Sequence, residues 1–389
     1  MDAREITRRP DHASTEQEFA EFVDRAKREL DTHRLVGLLP ERSAVYQGRS
    51  ANTVNRMRGY LLAAFEGVGL PEPALPYVFE ELENGRDAYL VAAAAKALRG
   101  RESHDADAVP FLLKAVENIK YTDDAVSFDH YRPSWPLAGH TTALEEIATT
   151  VAGLGTAAMS ARPALRSLLE ESGVLSEAAR ATLESVVAGL PVDVNPASSA
   201  CCAHSVEAAR PVSPEVKPPT EALADVELED QDGARVTFRD FFTGKPSVVA
   251  FFYTRCDNPN KCSLTITKLG RLQRRLAEIG LNGRIQVAAI TYDPEFDLPI
   301  RLKAYGEMRG VVCGPSDRFF RTTGALTPVA DCFELGVSFG GTLVNRHRIE
   351  LFLLDEKGQI AGAFTRLQWN VAEVLAQAAS LCSPTPKPA

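Results

Sequence analysis

Two patterns of apolar residues divide the chain. Between residues 51 and 190 apolar positions recur at helical spacing in an alanine- and leucine-rich sequence, which predicts an all-helical domain. Beyond residue 225, short apolar runs alternate with helical patterns. That alternation is typical of strands and helices in an α/β sandwich. We therefore expect a multidomain protein.

An amphipathic segment stands at the N-terminus. Thr15 precedes Glu18 by three residues, a capping-box pattern, and apolar residues recur on one helical face over residues 19–30. This predicts an N-terminal helix within residues 1–34, and we expect its role to be packing.

A weak repeat runs through residues 35–190. Pro76, Pro110 and Pro163 each fall in the first turn of a predicted helix, where the missing N–H of proline is harmless. An alanine-rich second helix follows each of them, at residues 88–98, 142–154 and 177–187. The arrangement resembles HEAT-type repeats, which stack into an α-solenoid and usually bind a partner protein.

The middle repeat carries an insertion, residues 121–139, that contains His130, Tyr131 and Trp135. Aromatic side chains on a surface loop suit recognition. The alternative is an Ω-loop packed on itself.

Residues 191–224 are rich in proline and alanine, which predicts a linker. Cys201, Cys202 and His204 lie within it. A flexible tether of this length reaches roughly 30 Å, enough to bring these groups to the two-cysteine loop described next. The hypothesis is an arm that hands electrons or metal to that loop. The alternative is an incidental exposed segment.

The chemistry of the C-terminal part centres on a two-cysteine loop. Residues 248–253 form an uninterrupted apolar run typical of a buried strand, and a helical pattern covers residues 263–279. Cys256 and Cys262 lie between them. The helix N-terminus, with Arg255 and Lys261, adds positive charge, so we expect at least one acidified thiol. A thiolate serves equally as a metal ligand and as a redox nucleophile.

The remaining pattern predicts a thioredoxin-like α/β sandwich over residues 225–382, followed by a tail, residues 383–389. A second strand at residues 285–291 precedes a hairpin at residues 349–364. The first hairpin strand should run antiparallel to the central strand. His347 would then face the cysteine loop.

Four motifs stand out in the C-terminal part: Gly244-Lys245-Pro246, Phe251-Phe252-Tyr253-Thr254-Arg255-Cys256 leading to Cys262, Asp293-Pro294 with Asp297, and His347 five residues before Phe352. With these motifs, residues 225–381 resemble the Sco family, thioredoxin-fold proteins that serve copper-site assembly in cytochrome oxidases.

The resemblance implies a copper site built from Cys256, Cys262 and His347, with Asp293 nearby as a supporting residue. Two thiolates and one imidazole favour Cu(I) and can also hold Cu(II). Five residues separate the cysteines here, whereas the family usually has three.

Composition narrows the partners and the location. The 389-residue chain is 45% hydrophobic and carries a formal net charge of -9, which argues against nucleic acid or an anionic membrane as the main partner. Seven cysteines are too few for a disulfide scaffold. Neither a signal-like segment nor a membrane anchor is visible, so the sequence predicts a cytoplasmic protein.

Three functions remain open. The leading interpretation is a cytoplasmic Sco-like protein that delivers copper to a client protein, or matures its thiol or copper site, while the helical repeats hold that client. The second is a metal-independent thiol-disulfide oxidoreductase or thiol peroxidase, in which Cys256 attacks and Cys262 resolves. The third is an interaction scaffold with an inactive thioredoxin-like domain.

Overall fold

The computed structural model describes residues 15–103, 106–137, 139–171, 175–190 and 220–382. These residues form a helical unit up to residue 190 and an α/β unit from residue 220. Cys201, Cys202, His204 and the tail lie outside the described residues. The predicted domain boundaries stay predictions.

The helical unit contains nine α-helices among its described residues, and the predicted helical class is confirmed. They are α1 (Glu16–Glu29), α2 (Thr32–Val36), α3 (Ala51–Val68), α4 (Leu75–Asn84), α5 (Ala88–Leu98), α6 (Val109–Ile119), α7 (Ala143–Leu154), α8 (Arg162–Glu170) and α9 (Glu177–Gly189). Thr15 caps α1, because its side-chain oxygen accepts a hydrogen bond from the Glu18 amide at 3.1 Å.

Alternate helices of this unit pack on one another. α3 contacts α5, α5 contacts α7 and α7 contacts α9, while α4 contacts α6. Ala92, Ala93, Ala94 and Ala95 are all fully buried in α5, because small side chains allow close contact with helices on both sides. The HEAT-like solenoid stays a prediction. No helix in the described part of the chain combines the length and apolar character that crossing a bilayer requires.

The insertion in the middle repeat packs against helices of the same unit. The Tyr131 hydroxyl donates to Glu16 of α1 at 2.7 Å, and the Phe128 ring stacks on Tyr89 of α5 with centroids 4.9 Å apart. The insertion and the first turns of α3 and α5 line a cavity of about 700 Å³. Trp135, by contrast, is 84% exposed.

The α/β unit is built on a seven-stranded sheet of order β2-β1-β5-β4-β3-β8-β9. The strands are β1 (Glu227–Asp230), β2 (Arg235–Thr237), β3 (Ser247–Phe252), β4 (Gln286–Thr291), β5 (Asp317–Thr322), β6 (Val337–Gly340), β7 (Leu343–His347), β8 (Glu350–Leu354) and β9 (Ile360–Thr365). The helices are α10 (Phe238–Phe242), α11 (Leu264–Glu278), α12 (Pro299–Glu307), α13 (Thr327–Cys332) and α14 (Val371–Ser380). β6 and β7 pair separately.

Strand register brings three loops to one edge of this sheet. β3 and β4 are parallel and pair Phe252 with Thr291, so the loops that follow both strands begin side by side. β8 runs antiparallel to β3 and pairs Glu350 with Phe251. The segment before β8 therefore lies beside the end of β3. The predicted thioredoxin-like hairpin, β8 and β9, is confirmed.

Candidate metal centre

The cysteine loop connects the central strand to the first long helix of the unit. After β3 the chain passes through Cys256 and then forms a π-helical turn, Pro259–Ser263, before α11 begins at Leu264. Cys262 therefore lies in the π-turn and not in the α-helix. Its side chain is 1% exposed, whereas Cys256 is half-buried.

The structure brings Cys256, Cys262 and His347 together. The Nε2 atom of His347 lies 3.4 Å from the Cys256 sulfur and 3.6 Å from the Cys262 sulfur. The three ligand atoms all lie within 4.8 Å of one another. His347 is 5% exposed, so the cluster is open mainly on the Cys256 side.

The His347 ring is oriented by its second nitrogen. Nδ1 lies 3.0 Å from the Arg348 carbonyl oxygen, which can only accept, so Nδ1 carries the proton in this contact. Nε2 then faces the sulfurs. Tyr253 and Tyr292 pack against the imidazole, with ring centroids 5.3 and 5.5 Å away. A hydrogen bond to a backbone carbonyl is the usual way in which a metal-binding histidine is fixed.

The two thiols differ in charge. The pKa of Cys256 is lowered to about 3, first by the hydrogen bond with Cys262 and then by the nearby imidazole of His347. Burial raises the pKa of Cys262, and its hydrogen bond to Cys256 raises it further. We infer that Cys256 is the thiolate and Cys262 the thiol that donates to it. One acidified thiol was expected from the helix N-terminus, Arg255 and Lys261, and the groups that lower the pKa of Cys256 are instead Cys262 and His347.

Arg255 is engaged elsewhere, by Asp293. Its Nε donates to the Asp293 carboxylate at 3.0 Å, and a second guanidinium nitrogen contacts the same oxygen. Asp293 is 5% exposed and is not one of the three clustered residues. Its contact with the site runs through Arg255, next to Cys256. Lys261, in contrast, reaches into the site, since its Nζ donates to the His347 carbonyl oxygen at 2.7 Å.

Two buried carboxylates support the site and were missed as site residues in the sequence. Asp297 is fully buried and accepts hydrogen bonds from the Thr254 amide at 3.0 Å and from the hydroxyls of Thr254 and Thr291. It thereby ties the start of the cysteine loop to the end of β4. Its place in the motif Asp293-Pro294 with Asp297 was the signal available in the sequence.

Glu350 is the second of these carboxylates. It is fully buried and accepts from the Gly336 amide and from Arg348 Nε, both at 2.8 Å, and from the Tyr292 hydroxyl. Because Arg348 follows His347 directly, Glu350 anchors the strand connection that carries the imidazole.

The donor set fits one small metal ion. Metal–sulfur and metal–nitrogen distances of about 2.3 and 2.0 Å, at angles of about 109–120°, separate sulfur from nitrogen by about 3.5 to 3.7 Å. The separations of 3.4 and 3.6 Å are close to this range without rearrangement. Two sulfurs and one imidazole form a soft set that selects Cu(I) or zinc over hard cations.

Fold and site together define a thioredoxin-like domain with a Cys-Cys-His centre. Residues 215–383 match the SCO1/SenC family model, so the predicted resemblance of this unit to the Sco family is confirmed. No curated protein matches the chain.

Several solved structures resemble the chain over this unit. A SCO1/SenC family lipoprotein from Bacillus anthracis is 20% identical, with 40% of this chain and 92% of that chain covered and a TM-score of 0.36. ScoI from Bradyrhizobium japonicum, with copper bound, is 20% identical, with 40% and 96% covered and a TM-score of 0.33. Yeast Sco1 with copper bound is 25% identical, with 41% and 92% covered and a TM-score of 0.31.

Proposed function

We propose that the α/β unit binds copper through Cys256, Cys262 and His347 and delivers it to a client protein, or matures that client's thiol or copper site. The observation that carries the proposal is the mutual approach of three soft ligand atoms, all within 4.8 Å. The match of residues 215–383 to the SCO1/SenC family supports copper over zinc as the metal.

The protonation states favour loading. Cys256 is already a thiolate, so only Cys262 must lose a proton when Cu(I) binds, because a coordinating thiol is deprotonated. His347 offers Nε2, since Nδ1 is directed at the Arg348 carbonyl oxygen. The two cysteines together therefore release about one proton when one copper ion is loaded.

Exposure sets the order of delivery. Cys256 is half-buried, whereas Cys262 is 1% and His347 5% exposed. A client thiolate must approach copper from the Cys256 side, so Cys256 is the first ligand displaced. Cys262 and His347 then hold the metal until a second client ligand arrives. This is stepwise ligand exchange, with no free copper ion released.

The helical unit is the proposed holder of the client protein. Its layered helices and its 700 Å³ cavity under the insertion support a binding role. Supporting residue Asp293 would act by holding Arg255. The linker residues Cys201, Cys202 and His204 and the cytoplasmic location stay predictions.

Copper titration of single-site variants tests the proposal. The wild-type protein should bind one Cu(I) per chain, and Cu(II) loading should give a thiolate-to-copper charge-transfer absorption. Cys256→Ala, Cys262→Ala and His347→Ala should each lose at least about tenfold in affinity. Cys313→Ala is the matched control, because this half-buried cysteine is outside the cluster. Unchanged copper binding in Cys256→Ala or His347→Ala would contradict the proposal.

A second function is favoured by the thiol pair itself. A thiolate at Cys256 beside the protonated Cys262 is the arrangement of a thiol-disulfide oxidoreductase or a thiol peroxidase. Exchange activity that survives chelation, is lost in Cys256→Ser and is kept in His347→Ala would favour this function over copper delivery.

A further inference from the structure

Two arginines stack on the ring of Phe296 beside the cysteine loop. The guanidinium of Arg255 lies 4.0 Å from the ring centroid and that of Arg301 lies 4.1 Å from it. Arg255 belongs to the loop after β3, Phe296 to the loop after β4, and Arg301 to the first turn of α12. Arg255, Phe296 and Arg301, called the arginine–phenylalanine stack below, therefore lie at the same sheet edge as Cys256. Cys256 follows Arg255 directly in the sequence.

The two arginines differ in their charge balance. Arg255 is neutralised by the buried carboxylate of Asp293. Arg301 donates to the Phe296 carbonyl oxygen, and within the described residues no carboxylate pairs with it. A planar guanidinium that stacks on a ring still has N–H groups at its edge that can donate to a carboxylate. Asp257 and Glu295 are exposed on the same two loops and repel further negative charge, so this surface favours a single partner carboxylate at Arg301.

Apolar side chains extend this surface. Ile300 is 77% and Leu298 is 41% exposed at the start of α12. Arginine, aromatic and aliphatic side chains together are the composition of interface centres. A membrane would need a larger apolar area than two side chains provide.

We propose that the arginine–phenylalanine stack, with Leu298 and Ile300, is the docking surface for the client protein at Cys256, and that the client presents a carboxylate to Arg301. The inference rests on the proposed function only in that a client meets Cys256, whether it receives copper or exchanges thiols. It names the chemistry of the partner: one carboxylate and apolar side chains beside its own cysteines.

Two synthetic peptides of equal length test this surface without metal. Both contain Cys-Ala-Ala-Cys as a disulfide, flanked by Asp-Leu in one and by Lys-Leu in the other. The Cys256 thiolate attacks a peptide sulfur and releases one peptide thiolate. Cys262 then closes the protein disulfide, and its proton goes to the second released thiolate. The protein loses two electrons and the peptide gains them.

The acidic peptide should oxidise the metal-free protein about tenfold faster than the basic one at low salt. Arg301→Glu should remove or reverse this preference, and Ile300→Ser should slow both peptides several-fold. Arg275→Glu on α11 and Met308→Ser at the far end of α12 are matched exposed controls and should behave as wild type.

Equal rates for the two peptides with the wild-type protein, or an unchanged preference in Arg301→Glu, would overturn the proposal. So would sedimentation with phosphatidylcholine–phosphatidylglycerol vesicles that depends on Arg301 and Ile300 without any peptide preference, because it would assign the surface to a lipid membrane. Failure of copper loading leaves these metal-free rates unchanged, so the two proposals fail separately.

Discussion

The Nε2 atom of His347 lies 3.4 Å from the Cys256 sulfur, although 91 positions separate the two residues in the sequence. Antiparallel pairing of β8 with β3 produces this contact, because it returns the chain to the end of the strand that precedes the cysteine loop. The imidazole and the two cysteine sulfurs are thus brought together by the sheet before any metal arrives. Such preorganisation lowers the ordering cost of binding.

Cys256 and Cys262 should differ in reactivity in the reduced protein. Because the pKa of Cys256 is about 3, iodoacetamide should alkylate it at a rate nearly independent of pH between about pH 5 and 8, while Cys262 stays unmodified. Peptide mass spectrometry after timed quenching measures both sites. In His347→Ala the pKa of Cys256 should rise, and its alkylation should become faster with increasing pH. Equal labelling of the two cysteines would contradict this assignment.

The protein should tolerate asparagine at position 297 but not the loss of the hydrogen-bonding side chain. Burial raises the pKa of this carboxyl, so a neutral side chain suits the site. An asparagine oxygen can accept from the Thr254 amide and the Thr291 hydroxyl, while its NH₂ donates to the Thr254 hydroxyl. The free energy of unfolding of Asp297→Asn should therefore stay within about 1 kcal/mol of wild type, and that of Asp297→Ala should fall by about 2–3 kcal/mol.

Trp369 fluorescence during chemical unfolding measures this difference, since Trp369 is buried in the core of the same unit. If Asp297→Asn proved as costly as Asp297→Ala, the carboxyl would have to be charged, and the argument would be wrong.

Glu350→Ala should destabilise the α/β unit by about 3–5 kcal/mol, because it leaves the buried Tyr292 hydroxyl, the Gly336 amide and Arg348 without their shared acceptor. It should also weaken copper binding, since Arg348 positions the segment that carries His347. Denaturant unfolding and copper titration are both needed. Glu295→Ala, an exposed acidic residue of the same unit, is the control and should change neither quantity.

Arg58 should be the most sensitive charged residue of the helical unit. It is fully buried, donates to the Leu39 carbonyl oxygen at 2.6 Å and lies 3.4 Å from Glu41 and 3.9 Å from Glu81. Arg58→Ala leaves two buried carboxylates without this cation, so we expect the free energy of unfolding to fall by about 3–5 kcal/mol. Far-UV circular dichroism follows the helices, and Arg28→Ala, an exposed change in α1, is the control. If Arg58→Ala proved as stable as Arg28→Ala, the contacts of Arg58 with Glu41 and Glu81 would not stabilise the helical unit.

The local pattern of apolar residues and prolines was sufficient to predict the helices and the central strands. Uniform apolar runs predicted β3 and β4, and helical spacing predicted an all-helical region over residues 51–190, where α3 to α9 lie. Pro76, Pro110 and Pro163 marked helix starts. These signals depend only on neighbours within a few residues. The order of elements together with family motifs also placed Cys256, Cys262 and His347 at one sheet edge.

Tertiary structure alone decided which thiol is ionised, that Arg255 pairs with Asp293, and that Asp297 and Glu350 support the site. The sequence suggested the helix N-terminus, Arg255 and Lys261 as the acidifying groups, but the Arg255 guanidinium pairs with a carboxylate 38 positions away. Likewise, the insertion is held by Glu16, 115 positions from Tyr131. Burial and hydrogen bonding set these outcomes, and both depend on which distant segments the sheet and helices bring into contact.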